Sequence, residues 1–296
     1  MHRKMLAAAM AVVLMFTAVM LGSCNGKSDY PVTIGSIMLN SEPENIVILN
    51  KNLADIISCM GYDVKMVGRS DEVNQKGMNV VPSVGIAADA SPASIDELGA
   101  DIIFADESLN TAVIEQLNKK NIPVVILEQA RTPKQIKNLY KKLGTLLGGN
   151  VTGKAKGTDA CKTLFSELKD VKNAVNEKSI VKTVCYLYID NGVLKTVNNA
   201  TWGANMLDYT GATNVFKNSD TDVVDPEKLT LSNPDYIFCK DEDVINYLNS
   251  SDKFQNLSAL SEKTFIIPYD EITMQGDTAL DVLEKMLKNM YPEDFS

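Results

Sequence analysis

Arg69 is one of only three arginines in the chain, and it follows closely on the segment Val64-Lys65-Met66-Val67. A guanidinium is a planar fork of donors that suits the paired oxygens of a carboxylate, a hydroxamate or a phosphate. The same group also serves as a solvated surface charge or as half of an internal ion pair. Trp202 is the only tryptophan. Its indole offers a broad face for stacking on a flat conjugated ring, or simply packs beneath a loop. Tyr188 and Tyr269 admit the same two readings. Asn50 and Lys240 stand just past the apolar runs Ile46-Val47-Ile48-Leu49 and Tyr236-Ile237-Phe238-Cys239, and add an amide and an ammonium. Met274 and Gln275 follow Tyr269 closely, with roles the sequence does not decide. Motifs for covalent or hydrolytic chemistry are missing: there is no Gly-x-Ser-x-Gly, no P-loop and no His-Glu-x-x-His. The set reads as one for binding, with no catalytic residue, metal ligand or cofactor assigned.

For these side chains to meet, distant segments must be brought together. Ile46 to Leu49 reads as a strand; Leu53, Ile56, Ile57 and Met60 follow at helical spacing, and Gly61 ends that helix. Val64 to Val67, Asp101 to Ala105 and Ile122 to Leu127 are further predicted strands, with a helix near Ala112 to Lys119. Strands alternating with helices argue for parallel α/β units. In such sheets ligands lie beyond the carboxyl ends of the strands. That singles out the loops at 50–52, 69–70, 106–108, 188–190, 201–202, 240–241 and 269–270.

Pro133 to Leu147 reads as a helix stopped by Gly148-Gly149. Thr152 to Val175 is a longer one, with Cys161, Leu164, Phe165, Leu168, Val171 and Val175 as its apolar stripe. At about 1.5 Å per residue it spans about 36 Å, which suits a rigid bridge. After Ser179 the α/β pattern restarts: a strand from Val181 to Tyr188, a helix from Ala204 to Tyr209, strands at Tyr236–Cys239 and Phe265–Ile267, and a closing helix from Thr278 to Met290. The halves repeat each other. Ser91-Pro92-Ala93-Ser94-Ile95-Asp96-Glu97 through Asp101 to Phe104 can be laid on Asp225-Pro226-Glu227 through Asp235 to Phe238. In each, a Pro-led helix start runs through a turn and an Asp into a strand. The expected fold class is α/β: two similar parallel-sheet lobes, 44–150 and 179–296, joined by one long helix at 151–178, with a ligand cleft between the lobes.

The amino terminus has its own chemistry. His2, Arg3 and Lys4 precede an uncharged run from Met5 to Met20, and Leu21-Gly22-Ser23-Cys24 follows. This is the layout of an export signal, and its last four residues resemble a bacterial lipobox. The resemblance implies cleavage after residue 23 and a lipidated Cys24, with 24–43 as tether and N-terminal segment. Two acyl chains anchor a protein stably where one does not. The alternative is an uncleaved span, for which the run is just long enough. His2, the only histidine, leaves with the signal. That excludes a histidine metal site, a Ser-His-Asp triad and a histidine haem ligand from the mature chain. The formal net charge of -9 disfavours nucleic acid and anionic membrane as partners. Cys59, Cys161, Cys185 and Cys239 sit in apolar settings without CxxC spacing, as buried thiols do. A Cys185–Cys239 bridge within one sheet is the other option.

Several segments, in order, carry a wider resemblance. They are Pro43-Glu44-Asn45-Ile46-Val47-Ile48-Leu49, Met60-Gly61-Tyr62-Asp63-Val64, Pro82-Ser83-Val84-Gly85, Leu98-Gly99-Ala100-Asp101-Ile102-Ile103 and Lys142-Leu143-Gly144-Thr145-Leu146-Leu147-Gly148. Asn205-Met206-Leu207-Asp208-Tyr209-Thr210-Gly211-Ala212-Thr213-Asn214-Val215 and the ending Tyr291-Pro292-Glu293-Asp294-Phe295 complete the series. Over residues 43 to 295 the chain resembles the solute-binding proteins of ABC importers for iron complexes and cobalamin, the class with a rigid helix between lobes. The resemblance implies a monomer held at the outer face of the cell membrane. It would take a ferric siderophore, haem, corrinoid or related chelate, and its partners would be a permease dimer and an ATPase. It places the Trp202 loop at the ligand cleft, where the strand-end rule also puts Asn50, Arg69, Tyr188, Lys240 and Tyr269. In this family each lobe offers a glutamate to the permease. Glu227 matches the one in lobe two, while Ala93 stands at the lobe-one position, so that Asp96 or Glu97 is the expected substitute. Haem would need tyrosine or methionine as its ligand. A surface lipoprotein of this fold that senses or scaffolds is the alternative reading.

Overall fold

The protein is described here by a computed structural model covering residues 28–176 and 182–293. The stretch read as a signal (1–23), Cys24 and residues 25–27 lie outside the described residues. Most of the segment read as a tether is fastened down. The Asp29 carboxylate accepts hydrogen bonds from Val151 N (2.7 Å), Thr152 N (2.8 Å) and Thr152 Oγ1 (2.7 Å). The Thr152 hydroxyl, then the two backbone donors, hold its pKa below the ordinary carboxylate value. Strands β1 (Val32–Ile34) and β2 (Ile37–Leu39) then form an antiparallel hairpin.

Lobe one runs β3 (Ile46–Ile48), α1 (Lys51–Cys59), β4 (Met66–Arg69), α2 (Pro92–Glu97), β5 (Ile102–Ala105), α3 (Thr111–Lys119) and β6 (Val124–Ile126). Its four strands are parallel in the order β4-β3-β5-β6. β3 and β5 are buried along their whole length, as expected of strands covered on both faces. One strand is displaced from its expected position. Val64 is 86% exposed in a short 3-10 turn at Asp63–Lys65, and pairing with β3 begins only at Met66.

α4 (Pro133–Gly148) opens with a capping box between Thr132 and Gln135. A five-residue π turn, Gly149–Gly153, leads into α5 (Lys154–Asn176), the long helix that joins the lobes. α5 folds back along α4. The two come close because glycines line the seam: a Cβ on Gly153 would overlap the Gly144 carbonyl oxygen, and one on Gly157 that of Tyr140.

Lobe two comprises β7 (Thr183–Asp190), β8 (Val193–Thr196), α6 (Trp202–Tyr209), β9 (Thr213–Asn214), α7 (Pro226–Ser232), β10 (Tyr236–Cys239), α8 (Glu242–Ser250), β11 (Thr264–Ile266), α9 (Tyr269–Ile272) and α10 (Thr278–Met290). β9 and β10 flank β7 in parallel, and β11 lies beyond β10. The order β9-β7-β10-β11 repeats that of lobe one. The addition is β8, an antiparallel hairpin partner of β7 turning at Asn191-Gly192, both at positive φ. The repeated aspartates do the same work in both lobes. Asp101 accepts the backbone N–H groups of Glu44 (2.8 Å) and Asn45 (2.9 Å), and Asp235 accepts that of Thr183 (2.8 Å). Each ties the entry of one strand to the amino end of its neighbour.

Each sheet has an outer face with its own apolar cluster, around Ile95 and Leu117 in lobe one and around Phe216 and Phe254 in lobe two. The inner faces of both sheets share one continuous core with α1, α4, α5 and α10. Cys185 and Cys239 are buried free thiols. Cys185 pairs in register with Ile237, so the two sulfurs are offset by two residues and no bridge joins them.

Candidate ligand-binding cleft

The turns after β3, β5 and β6 surround a basin of about 580 Å³ on the carboxyl end of the lobe-one sheet. Asn50 contributes because it is the N-cap of α1: its Oδ1 accepts Leu53 N at 2.9 Å, and its Nδ2 donates to Asp106 Oδ2 at 2.5 Å. Asp106 in turn holds Ser108 through both its N–H (2.9 Å) and its hydroxyl (2.5 Å). Glu107, Glu128 and Arg131 are exposed and line the basin with Asn52 and Gln135.

The carboxyl end of the lobe-two sheet meets the start of α1, next to Asn50 and Asn52 of the basin. Asp270 crosses to Lys51 at 2.5 Å. Beside it, the half-buried Tyr269 ring packs on Tyr188 with centroids 4.7 Å apart. Burial, Tyr269 and Asp222 together push the Tyr188 phenol above its ordinary pKa, so it stays neutral. Lys240 stands exposed at the end of β10, 3.6 Å from Asp241.

Beneath the cleft, residues 274–278 of lobe two are bolted to lobe one. Gln275 is fully buried. Its Nε2 donates to Ala130 O (2.5 Å), its Oε1 accepts from Asn52 Nδ2 (3.1 Å), and its main-chain oxygen accepts from Tyr140 OH (2.7 Å). Asp55 accepts Gly276 N (2.6 Å) and both Thr278 Oγ1 (2.6 Å) and Thr278 N (3.2 Å). A Cβ on Gly276 would lie 2.6 Å from the Asp55 carbonyl carbon, so the close approach needs a glycine.

Two expected ligand residues lie elsewhere. Arg69 turns its fork inward: Nε donates to Met78 O (2.8 Å) and Val81 O (3.0 Å), and Nη1 to Ser70 O (3.0 Å). It braces the long loop after β4, because the carbonyls of that loop converge on it. Trp202 is only 2% exposed, being the first residue of α6 and not part of a preceding loop. Its Nε1 donates to Met274 O at 2.7 Å and its ring meets Phe165 of α5 edge-on at 5.8 Å. The structure thus puts Asn50 in the basin and Tyr188, Tyr269 and Lys240 along the lobe-two edge, and takes Arg69 and Trp202 into the framework. Sequence reasoning included Asn52 in the 50–52 loop but missed Glu128 and Arg131. The scarcity that drew notice to Arg69 applied equally to Arg131, which sits between a strand and a capping box.

The two permease-docking candidates sit at opposite ends of matching helices: Glu97 is the last residue of α2 and Glu227 the second of α7. Glu227 is exposed in the first turn of α7, where the Asp225 cap also accepts its N–H at 2.9 Å. Leu231, one turn on, is 86% exposed. In α2, Asp96 is taken by Lys120 at 2.6 Å, whereas Glu97 and Ala93 are exposed.

The structure is similar to several solved ones. A possible iron-binding, periplasmic solute-binding protein from Staphylococcus epidermidis aligns with a TM-score of 0.71 at 18% identity, over 85% of this chain and 100% of its own. A periplasmic heme-binding protein from Pseudomonas aeruginosa gives 0.67 at 19%, over 84% and 93%. An ABC-type Fe3+-hydroxamate transport protein from Saccharomonospora viridis gives 0.64 at 17%, over 88% and 99%. At these identities the likeness is one of fold. No curated protein matches the sequence. The sequence model of one family, described as periplasmic binding protein, matches residues 46–268 of the 296, and with two lobes of like strand order turned toward one cleft, the chain belongs to that family.

Proposed function

We propose that this chain is the solute-binding lipoprotein of an ABC importer, capturing a ferric siderophore, a corrinoid or a related chelate outside the cell membrane. The observation that carries this reading is the basin at the carboxyl ends of lobe one, together with the half-buried Tyr188–Tyr269 pair of lobe two beside the Asp270–Lys51 ion pair that joins the lobes. Tyrosine faces cover a chelate's organic shell, while Asn50 and Lys240 supply polar contacts at the edges. Acylated Cys24 holds the monomer at the membrane. Glu227 and Glu97 then present one negative charge per lobe to a permease dimer powered by its ATPase. Complementary charge of this kind chiefly sets encounter rate and register.

Native mass spectrometry of the purified chain against ferric siderophores, haem and cobalamin tests capture. A stoichiometric adduct with one class is the expected result. Glu227→Lys is expected to abolish uptake in cells while leaving that adduct intact. Cys24→Ala is expected to lose acyl labelling. Ala93 at the lobe-one docking position favours a second reading, a sensor or scaffold of this fold. In that case Glu227→Lys leaves uptake of the bound chelate unchanged.

A further inference from the structure

The ions around the cleft divide into those already matched within the protein and those left over. Lys51 is held by Asp270. Lys195 lies between Asp190 (3.0 Å) and Asp222 (3.3 Å), and Lys240 is beside Asp241. Each rim lysine therefore has a carboxylate of its own. The basin is different. Asp106, Glu107, Glu128 and Arg131 line it, three carboxylates against one guanidinium. Glu107, Glu128 and Arg131 take no part in the ion pairs among the described residues. Asp106 is satisfied only by neutral donors, which leave its charge uncompensated. The basin thus carries a negative excess, and a concave surface of one sign focuses its field on whatever enters.

An independent observation concerns hydrogen bonding in the basin wall. Asn52 Oδ1 is buried and finds no donor among the described residues, its Nδ2 being spent on Gln275. Buried acceptors without donors carry a desolvation penalty that a donor-bearing ligand relieves. Charge and hydrogen bonding therefore ask for the same thing, positive charge and N–H or O–H groups.

Resting on the reading of this basin as a chelate site, we infer that it selects cationic over neutral, and neutral over anionic, metal chelates, a ferric hydroxamate bearing a free ammonium being the best fit. Glu107 and Glu128 are the selecting charges, and Arg131 limits the preference. The neutral phenol of Tyr188 fits the same cargo, since a phenolate would be needed only to ligate an iron centre directly.

Calorimetric titration of the detergent-solubilised full chain with four probes tests this. They are ferrioxamine B (cationic), ferrichrome (neutral), ferric enterobactin (anionic) and haemin (anionic). Ferrioxamine B is expected to bind at least about ten-fold tighter than either anionic probe, with an affinity that falls as sodium chloride is raised. The Glu107→Gln/Glu128→Gln double variant, both sites being exposed, is expected to keep its melting temperature and lose most of that ratio. Arg131→Gln is expected to widen it. Tighter binding of an anionic probe, or a ratio untouched by the double variant, overturns the charge selection and leaves the chelate-binding reading standing. Failure of all four probes, together with no cobalamin adduct in the native mass spectra, overturns both.

Discussion

Asp55 is the residue on which the join between lobes depends most, and its chemistry is testable. It is 4% exposed and, among the described residues, is the side-chain acceptor for Gly276 N–H, Thr278 N–H and the Thr278 hydroxyl. Asp55→Ala orphans one buried and one half-buried backbone donor, so a loss of about 2 kcal/mol in urea unfolding is expected. The charge itself is costly. Burial raises the Asp55 pKa above the ordinary 3.8, outweighing the hydrogen bonds from Thr278 and Gly276. A folded-state value above the unfolded one means that the ionised form is the less stable partner of folding. Relative to Asp55→Asn, the parent is therefore expected to gain stability as pH falls through the raised folded value toward 3.8. Paired thermal melts across that range check the sign, and a parent that loses ground on acidification refutes it. The cysteines behave more simply. Burial pushes Cys239 and Cys59 up to about 12 and Cys161 to about 11. Native protein is expected to resist iodoacetamide, and unfolded protein to react at all four described positions. Their apolar neighbours made this legible in the sequence. The fates of Arg69 and Trp202 were not legible, because residue type tells what a side chain can bind and not which atoms fold around it. Three carbonyls claimed the guanidinium and one claimed the indole N–H.

At the scale of elements, the seam between α4 and α5 sets the tightest constraint. Gly153→Val places a branched side chain against the Gly144 carbonyl in a contact that has no slack. Overpacking of this kind costs about 1–3 kcal/mol, read as a lower urea midpoint. Gly192→Ala, in the β7–β8 turn, meets open space but sits at φ +77, so its cost is conformational only and smaller. Most helices and parallel strands were readable because caps and β-branched runs act locally: Thr132 with Gln135 starts α4, and Ile46-Val47-Ile48 can hardly be anything but a buried strand. β8 went unread although Asn191-Gly192 is a strong turn signal, since Val193 to Thr196 becomes a strand only by pairing with β7. The displaced start of β4 has the same origin. Local residues allowed a strand from Val64, and register with β3 fixed it at Met66.

For the whole molecule, the shared inner core and the bolted segment at 274–278 predict stiffness. A helix hairpin and a buried hydrogen-bonded joint resist hinge bending where two strand crossovers would allow it. Small-angle scattering with and without saturating ferrichrome is expected to give nearly equal radii of gyration. A large compaction would mean that the joint opens in solution. The two-lobe plan itself was legible from the repeat, because the Pro-led helix start and the aspartate before the next strand perform one mechanical task twice. The cleft chemistry was less so, since Asn52, Glu128 and Arg131 converge only when β3 and β6 enter one sheet beside β5. One feature of the N-terminal segment reaches beyond the fold. Asp29 clamps the chain to the turn between α4 and α5. With Cys24 acylated as proposed, five residue steps separate lipid from clamp, a leash of about 17 Å at full extension. A binder so closely moored cannot diffuse away with its cargo. It meets a permease by a search in two dimensions, at an effective concentration set by leash length instead of by bulk abundance.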